Sequence, residues 1–359
     1  MALALSHGGK TVNTAATPSD KVLVGTLDGV ATLERDGDGW RIAERTLTGN
    51  HVHALLLEEE SGTWFAGVRK GGIYASHDGG STWERSDDGV TEEDIYSLAS
   101  AKVDGHVRLF AGTEPAHLFV SDDLGKSWTD RPGLRDVPSA ENWSFPAPPH
   151  IGHLKHINFS PSDPRTMWGS IEQGGLLKST DGGVTWADKP GMNDDVHRTV
   201  IDPNNPDRMY ITGGGGLWIT DDAGDSWSNP FGRESDLGGY TDQLVFKPSD
   251  PTYMVMSAGA KSPNAWREEH TARTRITRSR DAGSTWEVIT KGISDDMTHA
   301  VEAMTLEEAG STVQIFAANT GGDVLWSNDA GETWSVAVSG LAPISKGGHY
   351  QAMAGAAAS

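Results

Sequence analysis

The chain has 359 residues, of which 36% are hydrophobic and 8% aromatic, and it carries 44 Gly, 13 Trp and no Cys. Zero Cys excludes disulfides, Cys-based zinc sites and a thiol nucleophile, while a formal net charge of −21 at pH 7, with Lys and Arg unclustered, excludes a nucleic-acid backbone as partner. No apolar run approaches the length of a membrane span, and the start Met1-Ala2-Leu3-Ala4-Leu5-Ser6-His7 is too short and uncharged for a secretory signal, so a cytoplasmic protein without a membrane partner is expected.

Residues 1–19 read as an irregular arm, followed by strands at 22–25, 29–34 and 40–44. The next unit is the clearest. Residues 51–58 alternate and are apolar at the centre, 63–68 and 72–76 supply two more strands, and Ser76-His77-Asp78-Gly79-Gly80-Ser81-Thr82-Trp83 turns the chain into a fourth at 82–85. The pattern S/T-x-D-x-G-x-S/T-W returns at 121–128, 179–186, 220–227, 279–286 and 327–334, with successive Trp residues roughly 40 to 60 residues apart. A worn copy at 33–40 keeps Gly37 and Trp40 but lacks the Asp. Inner strands of the later units fall near 94–100, 152–159, 197–202, 240–246 and 299–306, and 349–354 reads as an innermost strand with no unit of its own.

Each copy of the pattern has a mechanical role. The Asp accepts hydrogen bonds from nearby backbone N–H groups, the Gly supplies a positive φ, and the Trp buries a large ring between neighbouring units. A period of this length with short β-rich runs predicts radial repetition, in which each unit is one small sheet covering its neighbour's apolar face. The expected fold is all-β: a single seven-bladed β-propeller of four-stranded antiparallel blades, closed by pairing of N- and C-terminal strands, with six blades as the alternative count. Over nearly its whole length the chain resembles the Asp-box, or BNR, repeat family found in sialidases, sortilin-type receptors, xyloglucanases and photosystem assembly factors. That resemblance implies the propeller and leaves the activity open, because the family hosts many functions.

In such a fold the segments leading into the innermost strands share one face with the loops joining strands two and three, opposite the repeated turns. Leading into the inner strands are His51 and His53, Asp94 and Tyr96, His153 and His156, His197 and Arg198, Tyr240 and Gln243, His299 and Glu302, and His349. Aligning the units on their downstream pattern places His53, Tyr96, His156, Arg198, Gln243 and Glu302 at equivalent positions. His51 and His53, two apart on a strand, point to the same side. The concentration of His at one end of a central channel suits a divalent transition metal (Zn, Fe, Mn or Cu) or acid–base catalysis, with His51, His53, His153, His156, His197, His299 and His349 as candidate ligands. The second loop set adds Glu172-Gln173-Gly174-Gly175, Arg69-Lys70-Gly71-Gly72, and Glu114 with His117. Candidate catalytic groups are Glu302, Glu172, Arg198 and Tyr96. Candidate substrate-binding groups are Gln243, Tyr240, Trp143, Trp266 and Arg69.

Two insertions fall on the same face, 131–151 with Trp143 and Phe145, and 258–274 with Trp266, Arg267, Glu268, Glu269 and His270; both are candidate lids. These features lead to an enzyme acting on a small polar or sugar-like molecule, of hydrolase or lyase type, at a His-rich and metal-dependent site. The alternative is a non-catalytic scaffold that holds a protein partner on the same face. A sialidase-like glycosidase is disfavoured, since an arginine triad is missing and Trp40-Arg41-Ile42-Ala43 lacks the proline of the family's starting element. No nucleotide cofactor is expected, because Gly213 to Gly216 precede a strand rather than a helix.

Overall fold

The computed structural model describes residues 2–146, 148–345 and 348–353. The fold is all-β, with seven blades of four-stranded antiparallel sheet, a seven-bladed β-propeller. The chain divides into two compact units, one of residues 1–51, 214–216 and 230 onward, the other of residues 52–213 and 217–229.

The first unit opens with β1 (Ala2–Leu5), β2 (Val12–Ala15), β3 (Lys21–Thr26), β4 (Gly29–Asp36) and β5 (Gly39–Thr46). The order β1-β3-β4-β5 makes the first blade, with β1 parallel to β3. The second unit holds four blades: β6 (Val52–Glu58), β7 (Thr63–Val68), β8 (Gly72–Ser76) and β9 (Glu84–Arg85); β10 (Asp94–Val103), β11 (His106–Glu114), β12 (Leu118–Ser121) and β13 (Thr129–Asp130); β14 (Leu154–Phe159), β15 (Met167–Ile171), β16 (Gly175–Ser179) and β17 (Ala187–Lys189); and β18 (Val196–Asp202), β19 (Asn205–Gly213), β20 (Gly216–Thr220) and β21 (Ser228–Gly232). Gly216 and the end of β21 fall in the first unit. That unit is completed by β22 (Tyr240–Lys247), β23 (Asp250–Gly259), α1 (Pro263–Glu269), β24 (Arg275–Ser279) and β25 (Glu287–Val288), then β26 (Val301–Ala309), β27 (Thr312–Asn319), β28 (Val324–Ser327), β29 (Ser335–Val338) and α2 (His349–Met353).

Two expectations change at the termini. The 1–19 segment contains two strands: Leu3 and Leu5 are buried on β1, and β2 runs parallel to β26 with Val12 opposite Leu306. The expected pairing of N- and C-terminal strands is thus made by β2 on the last blade. Residues 349–353 form a helix instead of an inner strand, since β1 already fills that place in the first blade and Gln351, Ala352 and Met353 favour helix. Ala354 lies outside the described residues.

Apolar clusters hold adjacent blades together. In the second unit Phe65, Ile95, Leu98 and Trp128 share one cluster, Leu118, Leu154, Met167 and Leu177 another, and Trp168, Val196 and Ile211 a third. In the first unit Val245, Met304, Ile315 and Trp334 pack together, and Leu3, Val24, Phe316 and Trp326 form a separate cluster. The Trp of the repeated turn therefore seals one blade against the next.

The turn itself folds as its residues dictate. The Ser76 hydroxyl donates to Asp78 Oδ1 at 2.8 Å, the Ser81 and Thr82 N–H groups donate to the same oxygen at 3.1 and 2.9 Å, and the Thr82 hydroxyl donates to Oδ2 at 2.6 Å. These bonds hold the Asp78 carboxyl below its ordinary value. Gly80 follows at φ 95°, where a side chain would be strained. The same bonds recur around Asp123, Asp181, Asp222, Asp281 and Asp329. In every case the acid is consumed by its own turn.

Candidate functional site

Each of the six inner strands β6, β10, β14, β18, β22 and β26 carries a bulge near its start. The bulged residues are His53, Tyr96, Lys155, His197, the pair Asp242 and Gln243, and Glu302. His156 and Arg198, expected at these positions, lie one residue further on, because the bulge shifts the register by one. They pair with each other: the Arg198 guanidinium donates to His156 Nε2 at 2.9 Å, and the Thr199 N–H approaches Nδ1 at 3.3 Å. No lone pair of His156 is left aimed at a ligand.

In the second unit a second rule places the residue two before each bulge, namely Asp94, His153 and Asp195, beside the point where the preceding blade's second strand ends and its next loop begins. Arg69 Nε lies 3.6 Å from Asp94 Oδ2, Glu114 Oε2 lies 3.3 Å from His153 Nδ1, and Glu172 forms an isolated antiparallel bridge with Asp195. The loops are locked there by backbone bonds. Gly71 and Gly72 N–H groups donate to the Glu93 carbonyl, and those of Gly174 and Gly175 to the Asp194 carbonyl. In-blade pairing then joins the contacts into a chain, since Asp94 stands opposite Glu114 on β10 and β11.

Glu172 is the hub, with 3% of its surface exposed. Its Oε2 accepts from His153 Nε2 at 2.9 Å and pairs with Lys155 Nζ at 2.6 Å, while Oε1 is 3.7 Å from His197 Nε2. His197 Nε2 is also 3.3 Å from Asp195 Oδ1. Rings cover this network: Tyr96 stacks on His153 with centroids 3.8 Å apart, His53 is tilted against Tyr96 at 4.5 Å, and Phe145 of the 131–151 insertion meets His153 edge-on at 5.1 Å. Trp143 of the same insertion packs where a Cβ on Gly152 or Gly174 would sit. The insertion is thus laid over the Glu172 loop.

Burial and neighbours set the protonation states. Asp94 is pushed up to about 6, first by burial and then by the Glu114 charge, with Arg69 opposing. Asp195 goes the other way: burial disfavours its charge, but His197 outweighs that and holds the carboxyl low. Burial also opposes a charged His153, yet the carboxylates of Glu114 and Glu172 on its two nitrogens raise it. Tyr96 is lifted well above the ordinary phenol value, mainly by burial, and stays protonated.

The remaining candidates group elsewhere. In the first unit Glu302 accepts from His349 Nδ1 at 2.7 Å, and His349 meets Tyr240 and Trp266 edge-on. His51 Nε2 donates to the Ser345 carbonyl at 2.9 Å. Gln243 is fully buried and donates to Asp242 Oδ1 at 2.8 Å, and half-buried His299 packs over Gly321. Among the described residues, of the seven histidines expected as ligands only His197 joins a grouping with ligand geometry, that of Glu172, Asp195 and His197, whose donor atoms lie within 4.8 Å of one another. Lys155 and Asp195 were missed from sequence, as was the full part played by Asp94. The spacing of two seen in His51/His53 and Asp94/Tyr96 carries forward to His153/Lys155 and Asp195/His197, and that was the available signal.

No family model and no curated protein matches the chain. Solved structures do, at the level of fold. An ancestral GH74 enzyme superposes with a TM-score of 0.58 at 13% identity over 76% of this chain, which spans only 36% of that protein. YCF48 from Cyanidioschyzon merolae gives 0.52 at 14% identity, covering 84% of this chain and 90% of that one, and YCF48 bound to D1 peptide gives 0.51 at 16% identity, covering 77% and 78%. No helix among the described residues is long and apolar enough to cross a membrane.

Proposed function

We propose that this chain is an enzyme of hydrolase or lyase type acting on a small polar molecule at the cluster centred on Glu172. The observation that carries the reading is the divergence of two aspartates at equivalent strand positions. Asp94 is lifted to about 6, while Asp195 is held below its ordinary value. Opposed shifts of this kind separate an acid from a base at one pH. Asp94 exchanges a proton with the substrate, Arg69 orients an acceptor beside it, and Tyr96 supplies an un-ionised hydroxyl. His153, bridging Glu114 and Glu172, keeps Glu172 fixed. Phe145 and Trp143 exclude water from above.

A divalent metal fits the donor set of Glu172, Asp195 and His197. The 3.3 and 3.7 Å separations suit three ligands around one ion, and His153 with Lys155 on the far oxygen of Glu172 form its outer support. Such an ion supplies Lewis acidity or an activated water at neutral pH. The remaining predicted metal ligands play other parts in this reading: His53 and His153 as packing and charge, His156 as the partner of Arg198, and His51, His299 and His349 as contacts of the first unit.

The repeated Asp-centred turns, with their shared bonding pattern, support membership of the Asp-box propellers. The test is turnover of a panel of chromogenic esters, phosphoesters and glycosides together with lyase substrates, combined with metal analysis of the purified chain. Wild type is expected to turn over one class and Glu172→Gln to lose it. Equal activity in the two sinks the assignment. A scaffold that holds a protein segment is the second reading, favoured by the fold likeness to a propeller solved with a bound peptide. Trp143 and Trp266, the large aromatic residues of the two insertions, each donate the indole N–H within the chain. Catalysis therefore takes precedence.

A further inference from the structure

We propose that the chain self-associates as a two-fold symmetric dimer through the outer edge of its first blade, with β5 pairing antiparallel to β5 of a second copy. This inference does not depend on the catalytic reading. β5 is the last strand of its sheet and runs for eight residues, Gly39–Thr46, whereas the outer strands of the other six blades run for two to five. The turn explains the difference. The other blades join their last two strands through the Asp-centred turn, but the worn copy in the first blade leaves only Gly37 and Asp38 between the paired residues Asp36 and Gly39, so β4 and β5 stay paired from there to Val30 and Thr46. Gly39, Arg41, Ala43, Glu44 and Arg45 are exposed. A long exposed edge is a template for another strand.

The charges on that edge select the partner. Edge charges ordinarily keep strands apart, but here their signs complement one another about a two-fold axis. β5 carries a bulge, with Ile42 opposite Leu33 and Glu44 opposite Thr32, so Ala43 is the extra residue. On a regular strand Arg41 and Glu44, three apart, would point to opposite faces. The bulge restores them to one face, since Arg41 stands opposite Glu34 and Glu44 opposite Thr32, two residues apart on β4. An axis perpendicular to the sheet, centred where Ile42 of one copy meets Ala43 of the other, then sets Arg41 of each copy directly opposite Glu44 of the other. Moving the register by one residue would set Arg41 against Arg45, a like-charge pair. Arg41 has capacity for a second carboxylate, because its bond to Glu34, at 2.5 Å, uses Nη2 of a guanidinium that offers five donors.

The test is sedimentation velocity of the full-length chain from about 1 to about 200 μM. A monomer–dimer equilibrium is expected, with its midpoint on the order of tens of micromolar, because one strand pair is smaller than an ordinary interface. The two-fold axis doubles every change, so Arg41→Glu and Glu44→Arg each create two like-charge contacts and should weaken association by at least about tenfold, while Arg41→Glu/Glu44→Arg should restore it to within about threefold of wild type. A chain that stays monomeric, a dimer indifferent to both single substitutions, or a double variant as weak as the singles overturns the proposal, the first of these leaving the edge to an extended segment of another protein. Should a single variant fail to fold, backbone hydrogen exchange in residues 39–46 of wild type is compared at the two ends of that concentration range. Protection that rises with concentration supports the pairing, and unchanged protection contradicts it.

Discussion

Replacing Asp94 by Asn removes a buried carboxylate while keeping its shape. The side chain is 7% exposed, neither of its buried oxygens has a hydrogen-bond partner, and burial with the Glu114 charge lifts it from 3.8 to about 6. A lift of that size disfavours the carboxylate by about 3 kcal/mol. The folded pKa is raised above the unfolded one, so the folded state keeps the proton longer. Its favourable contribution is full below about pH 4 and is lost as pH climbs to about 6. Asp94→Asn should therefore be more stable than wild type by up to about 3 kcal/mol at pH 7.5, or about 4 °C in melting temperature for this length, with the gap shrinking to about 1 kcal/mol at pH 4.5. Urea denaturation of both proteins across pH 4.5 to 7.5 measures this. A variant less stable than wild type at pH 7.5, or a gap independent of pH, would refute the reasoning and recast Asp94 as a plain partner of Arg69. The same variant should lose turnover. A group that destabilises the fold yet is needed for chemistry is what a functional site looks like energetically.

Glu172→Ala strips Lys155 of its carboxylate partner and His153 of one of its two, and should cost about 3–5 kcal/mol, read by chemical denaturation; a loss under about 1 kcal/mol would mean that the network is solvated. Adding Lys155→Met to Glu172→Gln should recover part of the loss, with a coupling of about 0.5–3 kcal/mol in a double-mutant cycle, and strict additivity would deny the pair. Trp334→Ala, which empties the seam between the last two blades, should cost about 3–5 kcal/mol, whereas Val336→Ala on the surface should stay within about 0.5 kcal/mol; similar losses would deny the role of the Trp as a seal. Manganese or zinc should raise the melting temperature of wild type but not of His197→Ala, and equal shifts would remove Glu172, Asp195 and His197 as the ligand set.

The fold was legible because its punctuation is local. An Asp that bonds the backbone three and four residues away and a Gly at positive φ leave a fixed signature, so the six turns marked their blades directly. The ends were less legible. Residues 2–5 become a strand only because β3 offers an edge to pair with, which is a long-range fact absent from their own pattern. At the site, His53, Tyr96, His197 and Glu302 were legible because they are polar or titratable residues at the entrances of the inner strands. Lys155 and Asp195 were overlooked because counting registers on apolar residues cannot see a bulge, which inserts one residue without altering the hydrophobic sequence. The hub role of Glu172 was invisible for another reason: its partners arrive from the loops and strands of two blades.

Turnover by Glu172→Gln against wild type, measured on the substrate class that wild type accepts, tests the central claim most directly. The account predicts a loss of about a thousandfold with the fold intact, since the residue holds His153, Lys155 and His197 in place. Activity that survives Glu172→Gln but disappears in Glu302→Gln would contradict it and move the chemistry to the first unit.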